Sequence, residues 1–114
     1  MKSVTPIAIL AGLLLLGSAF GGVIYVDKDA GGGSNNGSSW ANAYLKLQDA
    51  LAAAVANDEI WVSDGMYKPG VARTDSFQLK ALVKVYGGFA GGETMLNQRD
   101  FVNNVCILSG DLVG

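Results

Sequence analysis

Histidine is absent from this chain, cysteine occurs once and proline twice. Without histidine the chain has neither the commonest general base nor the commonest zinc ligand. A lone cysteine, Cys106, excludes an intrachain disulfide and any cysteine-based metal cluster. Cys106 stands in the apolar run Val105 to Leu108 and reads as a small strand residue, buried or half-buried. The other reading is a thiol bridging two chains. Basic residues are also scarce: Lys and Arg number 8, form no run, and leave a net charge of −2. A nucleic-acid binder carries a basic stripe, so nucleic acid is not an expected partner.

What the chain does have is glycine, 16 copies in 114 residues, and an apolar content of 50%. Much of that apolar excess lies at the N-terminus. Met1-Lys2 is a short positive start, Ile7 to Leu16 an apolar core, and Gly17-Ser18-Ala19-Phe20-Gly21 supplies small residues where a signal peptidase needs them. The layout predicts a secretory signal peptide over residues 1–21, cleaved after Ala19 or Gly21. A membrane anchor is the alternative, because no charge occurs between Lys2 and Asp27. Its glycines and the strand-like Val23 to Val26 argue against that, so no membrane span is expected after cleavage. The remaining 93 residues or so approach the lower size at which a domain buries its own core. The expected location is secreted, or the cell surface or outer membrane.

Residues 22–58 read as a strand, a polar loop and a capping helix. Val23-Ile24-Tyr25-Val26 is β-branched and aromatic. The stretch from Ala30 to Ser39 is almost wholly turn formers. Asp27 and Asp29 suggest a calcium loop, but Gly31 and Ser38 fall where an EF-hand needs ligands, so no metal is assigned. Asn36-Gly37-Ser38 is formally a glycosylation acceptor, of consequence only in a eukaryotic host. Leu47, Ala50, Leu51, Ala54 and Val55 share one helical face. Asn42 is a candidate start cap, the capping box is incomplete at Leu45, and Asn57-Asp58 ends the helix. Trp40 and Tyr44 extend this cover, or else offer aromatic platforms to sugar rings.

Residues 59–114 carry an apolar pattern that returns. Ile60 and Val62 flank Trp61, Val83 and Val85 flank Lys84, and Val105 and Ile107 flank Cys106, at offsets of 23 and 22 residues. One short strand per copy at such a period predicts a solenoid. Ser63-Asp64-Gly65 is the first turn, Gly70 to Asp75 a protruding loop, Phe77-Gln78-Leu79 another short strand, and Ser109-Gly110-Asp111 the last turn. Gly87 and Gly92 are spaced as in a phosphate loop, with Thr94 in place, but Glu93 replaces the lysine and would repel phosphate. Tight corners are the expected role of these glycines. Arg99-Asp100 reads as a surface or corner ion pair. With about two and a half repeats visible and three needed for stability, the chain is expected to be incomplete at Gly114 and its isolated form prone to aggregate.

The pieces Ile24-Tyr25-Val26-Asp27, Gly37-Ser38-Ser39-Trp40-Ala41-Asn42-Ala43-Tyr44, Leu47-Gln48-Asp49-Ala50-Leu51, Glu59-Ile60-Trp61-Val62, Tyr86-Gly87-Gly88-Phe89 and Ile107-Leu108-Ser109-Gly110-Asp111 stand in that order. Together they resemble the N-terminal segment of bacterial secreted right-handed parallel β-helix proteins of pectin-lyase-like fold, some of them adhesin-like or polymorphic outer-membrane proteins. Leu45 departs from a common Ser or Thr, and Cys106 from a frequent Thr.

The resemblance implies an all-β fold, a right-handed parallel β-helix with an N-terminal cap, one amphipathic helix and the first two to three rungs. It implies a structural or adhesive role, a polysaccharide or host-surface ligand, and further rungs of the same chain. The family also contains polysaccharide lyases and galacturonases, so the alternative is an enzyme whose active site lies beyond Gly114. A third reading is a small secreted protein that folds by oligomerising. No catalytic, cofactor-binding or metal-binding residue is carried over. Asp64 and Asp111 are turn residues first.

Overall fold

The computed structural model describes residues 21–70 and 75–109. The signal peptide expected over 1–21 therefore lies, but for Gly21, outside the described residues, as do part of the loop before Asp75 and the turn at Gly110-Asp111. The elements in chain order are β1 (Val23–Val26), α1 (Leu47–Ala53), β2 (Glu59–Ser63), β3 (Gly65–Tyr67), β4 (Lys84–Phe89), a 3-10 turn (Leu96–Gln98) and β5 (Cys106–Leu108).

The strands form a three-stranded parallel sheet in the order β1-β2-β4 and a two-stranded parallel sheet of β3 and β5. With one helix, this is a mixed α/β globule. The all-β, right-handed parallel β-helix expected from the sequence is not what the chain forms. The third copy of the repeat is what fails. Val105 and Ile107 should have stacked on Val83 and Val85, whereas β5 pairs with β3, setting Met66 opposite Ile107 and Tyr67 opposite Leu108. Val105 and Ile107 are 52% and 45% exposed, so they add no layer to the core of Ile60 and Val62.

The second copy is displaced rather than lost. Ile60 lies opposite Val85, not Val83. A slip of two residues preserves which face a strand side chain takes, so alternation alone does not reveal it. Gly87 and Gly88, expected as a corner, lie inside β4. There Trp61 faces Tyr86 and Ser63 faces Phe89, so β4 holds one extra residue, a bulge. Gly88 supplies the positive φ of 92° that such a bulge uses, and a Cβ on it would press on the Phe101 backbone at 3.1 Å. Phe77-Gln78-Leu79 is not a strand, and Phe77 packs from outside against the core.

Both faces of the three-stranded sheet are used, as parallel sheets require. On one face Val26, Ile60 and Val62 meet Leu47, Ala50, Leu51 and Ala54, all 1% exposed or less. Burying a leucine of this kind contributes roughly 1.5–3 kcal/mol, so Leu47 and Leu51 do most to hold α1 on the sheet. On the other face Tyr25, Trp61 and Tyr86 stand in one cross-strand row.

The helix is shorter than its pattern. Ala54 is already extended (φ −68°, ψ 145°), and Val55, expected on the buried face, is 65% exposed. Two groups outside the helix end it there. Asp58 Oδ2 accepts the Val55 N–H at 2.9 Å, and Lys80 Nζ donates to the Ala52 and Ala54 carbonyls at 2.9 and 2.8 Å. A cation on the last free carbonyls is the favoured ending of a helix dipole. At the other end Lys46 is the N-cap and makes no side-chain cap. Asn42 does not start the helix. Its carbonyl accepts the Asn36 and Gly37 N–H groups, and its Oδ1 accepts Ser34 N–H at 3.0 Å.

Candidate functional site

Among the described residues three arrangements are candidate sites. The first is a buried chain of hydroxyls. Ser63, wholly buried at the end of β2, donates from Oγ to Asp27 Oδ1 at 2.9 Å. Tyr67 Oη lies 3.0 Å from the same Oγ, and the Lys28 N–H donates to Tyr67 Oη at 3.2 Å. With Ser63 donating to the carboxylate, the consistent pattern is Tyr67 to Ser63 to Asp27. Burial pushes the Tyr67 phenol above its ordinary value, outweighing Ser63 and Lys28, which act to lower it. Ser63 is no nucleophile: it has no access to solvent and no histidine to activate it. The chain of hydroxyls ties β2, β3 and the loop after β1 together.

The second is the glycine loop after β4. Glu93 folds back on it, and its carboxylate accepts the N–H groups of Ala90, Gly91 and Gly92 at 2.7, 2.9 and 3.0 Å. Gly91 has φ +117°, which lets successive amides converge on one anion. Partial burial works against the charged form, but the converging amides outweigh it and hold the Glu93 carboxyl below its ordinary range. The loop thus has the anion cradle of a phosphate loop, and the glutamate at the lysine position fills it from within. The Glu93 carbonyl also accepts Trp40 Nε1–H at 2.8 Å, fastening this loop to the one after β1.

The third is a cavity between those two loops. It has a volume of about 590 Å³, opens to solvent, and is walled by Trp40, Asp27, Asn42, Gly91 and the glycines 31–33. Trp40 is half-buried and held by an aromatic group. Its ring centre lies 4.9 Å from Tyr25, edge-on, and 5.5 Å from Phe89, which stacks on Trp61 at 4.8 Å. The solenoid end that Trp40 and Tyr44 were expected to cover does not form; Trp40 joins this aromatic group and Tyr44 packs against the core. Asp27 uses Oδ1 for Ser63 Oγ and the Asp29 N–H, while Oδ2 lies beside Gly91. Gly33 is required here, because a Cβ would run into the Ala41 carbonyl.

The remaining candidate residues fall elsewhere. Arg99 and Asp100 form no ion pair. The Arg99 guanidinium lies 4.9 Å above the Tyr86 ring, and Asp100 accepts the Val102 and Asn103 N–H groups at 3.1 Å each. The Asn103 side-chain amide and then these backbone amides hold the Asp100 carboxyl below its usual range. Asp29 turns from Asp27 to pair with Lys28 Nζ at 3.2 Å, and no group of three or more potential metal-ligating side chains occurs among the described residues. Cys106 is half-buried in β5 beside Gly87, and burial, with a smaller push from Asp64, raises its thiol to about 11. Ser63 and Tyr67 carried no sequence signal, since their partners lie 36 residues away and four residues away across a bend.

Comparison with known proteins finds no matching family, no matching curated protein and no matching solved structure.

Proposed function

We propose that this chain is a structural or adhesive element of a secreted or cell-surface protein, and that its partner is a polysaccharide or a host-surface ligand. The observation that carries the reading is the use made of its carboxylates. Asp58 accepts the Gly22 and Val55 N–H groups, Asp100 those of Val102 and Asn103, and Glu93 those of Ala90, Gly91 and Gly92. Catalytic acids and bases must face a substrate with a free lone pair or proton. These carboxylates instead hold loops in shape, which suits a scaffold. The N-terminal layout of positive start, apolar core and small residues supports export. No helix among the described residues is long and apolar enough to cross a membrane.

The test is expression of the full chain in a bacterial host, with the mature N-terminus read by mass spectrometry. The purified product is then passed over immobilised neutral and acidic polysaccharides and incubated with the same polymers in solution. Retention without new reducing ends or unsaturated sugar products is the expected result. Turnover of any polymer would overturn the structural reading in favour of a lyase or hydrolase.

A further inference from the structure

The polysaccharide reading leaves open where a glycan would sit and of what charge. We infer that the cavity beside Trp40 is a binding site for one unit of a neutral saccharide, an assignment that rests on that reading. A saccharide ring has a weakly polar face and a rim of hydroxyls, so it needs an aromatic wall and a few fixed hydrogen-bonding groups. The cavity has both. Trp40 is half-buried, and its indole is locked by the Nε1–H bond to the Glu93 carbonyl at 2.8 Å and by Tyr25. A fixed ring gives up little conformational entropy when a ligand packs on it. Asp27 offers Oδ2, since its other oxygen serves Ser63 and the Asp29 N–H. Asn42 commits Oδ1 to Ser34 N–H and keeps its amide NH2 as a donor. Glycines 31–33 and Gly91 bring bare backbone to the remaining wall. A volume of about 590 Å³ lies within the range of roughly 300–1,000 Å³ typical of small-ligand sites.

Charge selects the class. Among the described residues Asp27 is the one ionisable side chain on the cavity wall, so these residues make the site negative and offer no cation to a uronate or a phosphate. A neutral sugar accepts a carboxylate as partner for its hydroxyls, whereas an acidic one is repelled by it. Cleavage does not follow from binding here. Glycosidic hydrolysis uses two carboxyl groups about the scissile bond, and Glu93, the nearest in sequence on the facing loop, spends both oxygens on backbone amides.

The experiment is titration calorimetry of the full chain with cellopentaose, mannopentaose and trigalacturonate, repeated on Gly31→Leu and Trp40→Phe. Gly31 lines the cavity, a Cβ on it meets nothing within 4 Å and its backbone is not left-handed, so leucine adds bulk at the cavity wall without disturbing the chain. Circular dichroism of each variant checks its fold. At least one neutral pentasaccharide should bind, trigalacturonate should not, and Gly31→Leu should weaken binding about tenfold or more. Unchanged affinity in both variants would overturn the cavity as the site while leaving the polysaccharide reading standing. Preference for trigalacturonate would overturn the neutral class. Absence of all three would overturn the site and weigh against the polysaccharide reading alike.

Discussion

Replacing Glu93 by glutamine tests whether a carboxylate holds the glycine loop. The wild-type oxygens serve three amides, Oε2 taking Ala90 N–H and Oε1 those of Gly91 and Gly92. Glutamine keeps one oxygen and sets a donor against a donor at the other. Hydrogen bonds to a charged acceptor contribute about 1.5–3 kcal/mol each when buried. Ala90 and Gly92 are exposed, so water takes over much of what is lost. The closest analogue is loss of a helix N-cap, which costs about 0.5–2 kcal/mol. The expected loss is therefore about 1–2 kcal/mol, on the order of 5–10 °C in Tm for a domain of this size. The sign with pH follows from the lowered carboxyl. A group whose folded pKa lies below its unfolded value stabilises above the unfolded value and loses that contribution as pH falls through the folded one. Urea titrations of wild type and Glu93→Gln, followed by tryptophan fluorescence, should differ most at neutral pH and converge as pH drops below the ordinary carboxyl value of 4.5. A difference that is absent at neutral pH, or that persists unchanged in acid, would refute the cradle.

Ser63→Ala should cost about 1–3 kcal/mol, because the buried Tyr67 hydroxyl and Asp27 Oδ1 lose their shared partner; a urea midpoint within error of wild type would count against the network. Lys80→Met removes the cation from the Ala52 and Ala54 carbonyls and should cost about 0.3–1 kcal/mol, a loss that shrinks in high salt when melts are compared at two ionic strengths. With its thiol raised to about 11, Cys106 should alkylate far more slowly with iodoacetamide at neutral pH than a free cysteine peptide, and mass spectrometry of a time course checks this. Gly88→Ala should destabilise by about 1–2 kcal/mol through its positive φ and the Phe101 backbone.

Strand faces were legible in the residues, and strand partners were not. Alternation sets Ile60, Val62, Val83 and Val85 towards the core, where they pack, but it does the same for Val105 and Ile107, which are about half exposed. It carries no information on register or on which strand a segment joins, because a two-residue slip keeps every side chain on its face. Hence Val85 rather than Val83 met Ile60, and Val105 to Leu108 joined β3 instead of extending the first sheet. The end of α1 was hidden for a similar reason. The pattern ran on to Val55, but Lys80 and Asp58 closed the helix earlier, and the first of these lies 26 residues from the carbonyl it caps.

The polar residues show the same division more sharply. Short-range chemistry is legible: a glutamate at the lysine position of a glycine loop excludes phosphate, and the structure supplies the reason, since the amides that would hold phosphate hold Glu93. Adjacency in sequence suggests a pair for Arg99 and Asp100, yet Arg99 stacks over Tyr86 and Asp100 accepts backbone amides. Asp27 is the decisive case. Its spacing from Asp29 suggests a calcium loop whose EF-hand ligand pattern fails, whereas its position depends on Ser63, which lies 36 residues on. One oxygen anchors the buried hydroxyls, and the other lies beside Gly91 on the wall of the Trp40 cavity. A carboxylate fixed from behind in this way is oriented before any ligand arrives, and that preorganisation separates a site from a solvated loop.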